Sequence, residues 1–169
     1  MKMDLYHELI KHLNQLVLLY RQLLDVVRKE KQLLLKVDLP LLSESNKNKE
    51  QIISQIKALE SDWMSVGEQL YIVIGLKAEP PRLSEIARHF SGDEQSKLLQ
   101  VQSVMNLLIQ RTTAANKENE ELVRNALTHI SGAMKAIRDT LNKNSVYAKK
   151  GIKSETPVQT SGRLVSKEV

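Results

Sequence analysis

Val37-Asp38-Leu39-Pro40 is the short stretch whose reading decides the fold. Proline disfavours helix at the residue before it and is accepted in a first turn, so these four residues stop one helix and start another. On their N-terminal side, residues 4–36 hold no glycine or proline. Apolar residues recur there at three- and four-residue spacing through Leu9, Leu13, Leu16, Tyr20, Leu23, Val27 and Leu34. That period marks an amphipathic helix. Ile10, Val17, Leu19, Leu24 and Leu35 widen the stripe, which suits packing against more than one neighbour. On the C-terminal side a second helix spans residues 40–74, with Leu42, Ile52, Ile56, Leu59, Trp63, Val66 and Leu70 on one face. Two helices of roughly 50 Å each, at 1.5 Å per residue, joined by so short a reversal, predict an antiparallel hairpin.

Residues 75–82, with Pro80-Pro81, interrupt the pattern and read as a connector. Residues 84–90 can form a short helix whose Ile86, Ala87 and Phe90 plug one end of a bundle. Ser91-Gly92-Asp93-Glu94 has a capping-box pattern, so a new helix starts there. Its stripe is long: Leu98, Val101, Met105, Leu108, Thr112, Ala115, Asn119, Leu122, Ala126, Ile130, Ala133, Ile137 and Leu141. Continuous over residues 92–143, it would reach roughly 75 Å, longer than the hairpin it packs on. Either it overhangs the hairpin or it breaks near residues 112–117, where β-branched and polar residues weaken the pattern. In both cases residues 116–143 are a candidate for an apolar face that their own chain does not fully cover. The expected architecture is all-α: a helical bundle over residues 1–143, then a flexible basic tail over residues 144–169.

Composition supports that class. The 169 residues include six glycines, four prolines and six aromatic residues, too few turn and β-favouring residues for a sandwich, barrel or doubly wound sheet. There is no cysteine, which excludes disulfides, thiolate metal sites and thiol nucleophiles together. Neither a signal peptide nor a membrane span is evident at the start, so the expectation is a soluble, cytoplasmic chain. Of the net charge of +5, +3 lies in residues 144–169, leaving the body nearly balanced. A balanced body without stacked aromatics argues against nucleic acid, and the tail lacks the lysine density of a membrane anchor.

Enzymatic constellations fail in turn, and no catalytic residue is assigned. His7, His12, His89 and His129 are scattered, with no i, i+4 pair for a metal. Six dispersed glycines build no phosphate cradle, so no cofactor is expected. Glu118, Glu120 and Glu121 read as a solvated helix face, and Trp63 as a core anchor. Residues 119–141 are different. They mix the large side chains Leu122, Val123, Leu127, Ile130, Met134 and Ile137 with the small Ala126, Gly132, Ala133 and Ala136, so another helix could approach closely. Periodicity leaves open whether that helix is the chain's own hairpin, a second copy or a different protein.

Asn119-Glu-Glu-Leu122-Val123-Arg-Asn-Ala-Leu127, an apolar helix to Leu141, and then Tyr147-Ala-Lys-Lys-Gly151 with a polar tail resemble the FlgN family of flagellar export chaperones. The family pattern is Asn-x-x-Leu-Leu with leucine or isoleucine four further on, followed by Tyr-x-x-x-Gly; Val123 here replaces the second leucine. The resemblance implies a cytoplasmic chaperone of the flagellar type III export system, which keeps the hook-associated proteins FlgK and FlgL unpolymerised until export. It implies client contacts on Leu122, Val123, Ala126, Leu127, Ile130, Ala133, Met134, Ile137 and Leu141. It also implies docking of Tyr147 and Gly151 on the membrane export gate. The alternative reading is a structural coiled-coil module that self-associates through the same stripe, and a homodimer is compatible with either.

Overall fold

The computed structural model describes the backbone of residues 1–76 and 80–148, with side chains up to residue 142. It contains α1 (Lys2–Lys36), α2 (Leu39–Ile74), α3 (Leu83–Arg88) and α4 (Gly92–Ala148), and no strand among the described residues. The chain is all-α, as its composition and periodicity predict.

The reversal between α1 and α2 takes two residues, Val37 and Asp38. Val37 adopts the left-handed conformation, φ 55°, and its N–H donates to the Leu34 carbonyl while that of Asp38 donates to the Leu33 carbonyl. This is the αL closure that glycine usually supplies, imposed here on a β-branched residue by the tightness of the turn. The Asp38 carboxylate then accepts the Leu41 N–H at 3.2 Å, and Pro40 sits in the first turn of α2. The backbones of α1 and α2 run closest of any helix pair.

Two compact units divide the chain, Met1–Ala126 and Leu127–Val169, and α4 contributes residues to both. In the first, Leu9, Leu13, Leu16, Leu23 and Val27 of the predicted α1 stripe are buried with Ile52, Ile56, Val66, Leu70 and Tyr71 of α2. Leu98 of α4 joins this core, and Leu108 joins a smaller cluster with Val17 and Leu24. The most deeply buried side chains, Leu9, Leu13, Leu16, Val27, Leu70, Ile86 and Leu98, come from all four helices. Each full burial is worth about 1.5–3 kcal/mol, so no helix of the unit stands without the others. Tyr20 lies half-buried, its hydroxyl donating to Glu60 Oε1 at 2.7 Å. Burial, followed by that carboxylate, pushes its phenol well above the ordinary range. Trp63 packs against the core, as expected.

The described ends of the connector, residues 75–76 and 80–82, are held from several sides. Gly75, φ 76°, closes α2 in the left-handed region. The Tyr71 hydroxyl donates to Glu85 Oε2 at 2.6 Å and accepts the Arg82 N–H at 2.8 Å. Ile86, Ala87 and Phe90 are buried as the plug the sequence predicts. Phe90 lies 4.9 Å from the Tyr6 ring, under the Lys2 ammonium, which donates to the His89 carbonyl at 2.8 Å. Pro81 is buried against Gly67, where an added Cβ would come within 2.9 Å of Pro81 Cγ.

Two expectations about the long last helix are settled. α4 passes through residues 112–117 without a break; the Thr112 hydroxyl donates back to the Leu108 carbonyl at 2.8 Å, and Ala115 packs against the core. It also continues to Ala148 instead of ending at residue 143, so residues 144–148 are helical where a flexible tail was expected. The remainder of that expected tail, residues 149–169, lies outside the described residues.

The contact at Gly67 is tight enough to test. Gly67→Ala should lower stability by about 1–3 kcal/mol in urea denaturation, the range for overpacking a filled site. Ser65→Ala, exposed on the same helix, should leave the midpoint unchanged.

Candidate functional site

One apolar stripe runs along α4, and its surroundings change partway. In the first unit, Leu98 and Leu108 are buried, and Val101, Met105 and Ala115 pack against the same clusters. At Asn116 and Asn119 the packing becomes polar. Asn119 is only 4% exposed, and its Nδ2 donates to the Val27 carbonyl at 2.9 Å and to Glu30 Oε2 at 3.3 Å. The Lys49 ammonium bridges Glu30 Oε2 and Asn116 Oδ1, both at 2.9 Å, and Asn116 Nδ2 donates to Glu120 Oε1. Outside this group Lys31 meets Glu118 at 2.7 Å and holds its carboxyl below the usual carboxylate range, by hydrogen bond first and charge second. Both partners of that pair are exposed, so it adds little to stability.

Beyond Asn119 the stripe emerges. Leu122 is half-buried, while Val123 and Ala126, the last site residues of the first unit, are exposed. In the second unit, every residue whose side chain is described, 127–142, is exposed. Leu127, Ile130, Met134, Ile137 and Leu141 are each between 57% and 65% exposed, in steps of three and four residues. That alternation is a heptad seam, the pattern by which one helix grips another. Ala133 lies exposed beside it, and a Cβ on Gly132 would meet nothing within 4 Å. No packing inside its own chain accounts for that helix-interior glycine. Of the two residues assigned to gate docking, Tyr147 lies in the helical backbone of α4 and Gly151 lies outside the described residues.

Of the residues in the family-like motif, then, Asn119 serves the bundle, and those after Leu122 are left on the surface. In the sequence Asn119 occupies one more slot of an apolar stripe. Its polarity at a core position was the available signal, because a buried amide needs partners and the chain supplies them in the Val27 carbonyl and Glu30. Among the described residues, no group of histidine and carboxylate side chains is placed to hold a metal ion. No helix among them is long and apolar enough to cross a membrane.

The structure defines the chain as an all-α helical bundle whose last helix carries an exposed heptad seam. The chain belongs to the FlgN family: the family model described as FlgN protein matches residues 1–155. This is a family of flagellar export chaperones, cytoplasmic and in general non-enzymatic, that bind flagellar hook-associated proteins. No curated protein and no solved structure matches the chain.

The division at Asn119 gives a contrast in stability. Asn119→Ala should cost about 1–3 kcal/mol in chemical denaturation, because a buried hydrogen-bond set loses its centre. Met134→Ala, on the exposed seam, should change the same free energy by less than about 0.5 kcal/mol.

Proposed function

We propose that this chain holds the hook-filament junction proteins FlgK and FlgL in the cytoplasm, masks their assembly-competent helices and releases them at the flagellar type III export apparatus. The client helix lies along Leu122, Val123, Ala126, Leu127, Ile130, Ala133, Met134, Ile137 and Leu141. Tyr147 and Gly151 dock on the export gate. The observation that carries the reading is the exposed seam of Leu127, Ile130, Met134, Ile137 and Leu141 in a chain of this family. Such a seam binds by helix-in-groove or coiled-coil packing, and its small neighbours Ala126 and Ala133 let a partner backbone come close. Holding and releasing an aggregation-prone helix needs no covalent step.

Ile130→Asp with Ile137→Asp should abolish the complex with FlgK and with FlgL in light scattering coupled to size exclusion. Helicity and melting temperature of the free protein should stay within error, because both residues are exposed. Unfolding of the double variant would instead assign the face to the chaperone's own core. For delivery, Tyr147→Ala should leave both complexes intact and reduce the amount of FlgK and FlgL secreted by cells. Unchanged secretion would remove Tyr147 from gate docking.

A further inference from the structure

The α1–α2 hairpin ends in apolar side chains that packing within the chain does not explain. Leu35, Val37, Leu39 and Leu41 flank the reversal, and each is between 46% and 73% exposed. A turn that met only solvent would ordinarily carry polar residues or glycine. Val37 is the sharpest case. It is the one non-glycine residue with positive φ among the described residues, and glycine would close the same turn without the strain that a β-branched residue bears there. Being the most exposed of the four, its side chain recovers little of that strain by packing.

Register places the tip beside α4. The two helices run parallel: the Tyr6 hydroxyl bonds the Glu94 carbonyl, Lys31 bonds Glu118 and the Val27 carbonyl accepts from Asn119, at separations of 87 to 92 positions. Leu35 lines one depression with Ala115, Glu118 and Asn119. The same offset brings the end of α1 level with Leu122–Ala126, where the α4 stripe loses its cover because the hairpin stops. All of these residues belong to the first unit. Tip and emerging stripe are two walls of one corner.

We propose that this corner seats the end turn of the client helix, with Leu35, Val37, Leu39 and Leu41 packing on apolar side chains of that turn. The inference rests on the assignment of the client to α4 and adds the hairpin tip to its contacts. Register identifies the occupant: the tip and Leu122–Ala126 stand at one level, so a helix that covers the one covers the other, and Leu122, Val123 and Ala126 belong to the client contact. An amphipathic helix fits the chemistry, because the tip offers apolar surface to side chains at the helix end that would otherwise stay in water. The tip also acts as a stop. A seam of leucines and isoleucines alone tolerates sliding by a turn, whereas a helix end lodged against the hairpin has one register.

Calorimetric titration of the full chain with FlgK and with FlgL tests this. Val37→Gly with Leu39→Ser should weaken both complexes at least about tenfold, the loss expected when apolar anchors of a contact are removed. The melting temperature of the free chain should stay equal or rise, because glycine suits the left-handed position and Leu39 is exposed. Leu18→Ser, similarly exposed but midway along α1, should leave both affinities unchanged. The absence of native cysteine provides a second measurement. A polarity-sensitive dye on Leu39→Cys should shift to shorter wavelength when the client binds, whereas the same dye on Leu18→Cys should not. Unchanged affinity of the double tip variant, or an unshifted dye at Leu39→Cys, overturns the tip contact, and the seam reading still stands if Ile130→Asp with Ile137→Asp abolishes binding in the same titrations. Normal binding by that seam variant removes the client assignment itself, and the tip contact falls with it. A free chain that dimerises, and whose dimer the tip variant dissolves at unchanged client affinity, gives the tip to a second copy and overturns the proposal equally.

Discussion

The buried amide of Asn119 is the point on which the division of labour along α4 depends. Before it, the apolar stripe is matched to the hairpin, and Leu98 and Leu108 are buried there. At Asn119 the stripe meets the Val27 carbonyl and the Glu30–Lys49 pair instead of more leucine. An amide in this position exacts a desolvation cost that only a correctly placed partner offsets, and one oxygen, Asn119 Oδ1, finds none among the described residues. Sliding α4 by a turn along the hairpin would bury an unpaired amide against apolar surface. Register is thereby fixed more firmly than by leucines alone, which tolerate exchange of neighbours.

The hairpin supplies the other half of that arrangement. Its turn is so short that Val37 is forced into the left-handed region, and Asp38 caps α2 within one residue of the end of α1. A longer, relaxed loop would let α1 and α2 shift against each other. Glu30 and Lys49, which must come within 2.9 Å of each other to receive α4, lie on the two arms close to this turn. At the other end, Tyr71, Glu85 and Pro81 hold the start of α3, and Phe90 just beyond it packs on Tyr6. The geometry that seats α4 is thus set at both ends of the hairpin.

Much of this was legible in the residues. The proline at position 40, the glycine-free runs on either side and the period of the leucines carry the hairpin, and Pro80-Pro81 marks the connector. The stripe on the later part of α4 was legible too, but its period left open what covers it. Three features were not. Weak helix formers at residues 112–117 suggested a break, but Thr112 satisfies its hydroxyl within the helix, and tertiary packing overrides propensity. Asn119 looked like a lapse in a stripe, since its partners Val27 and Glu30 lie about ninety positions away in sequence and only folding brings them together. The end of α4 was placed too early because residues 144–148 have turn-like composition although they continue the helix.

On the proposed assignment of the client to the seam, its energetics suit both holding and letting go. Leu127, Ile130, Met134, Ile137 and Leu141 are roughly three-fifths exposed, so covering them gains about 1–2 kcal/mol apiece. The gross sum, about 5–10 kcal/mol, is set against an association cost of about 4–15 kcal/mol. The seam alone therefore gives a reversible complex. Tight holding requires the client helix to reach further along α4, towards Leu122, or to be pre-ordered. Asn119 limits the seam by assigning everything before it to the bundle.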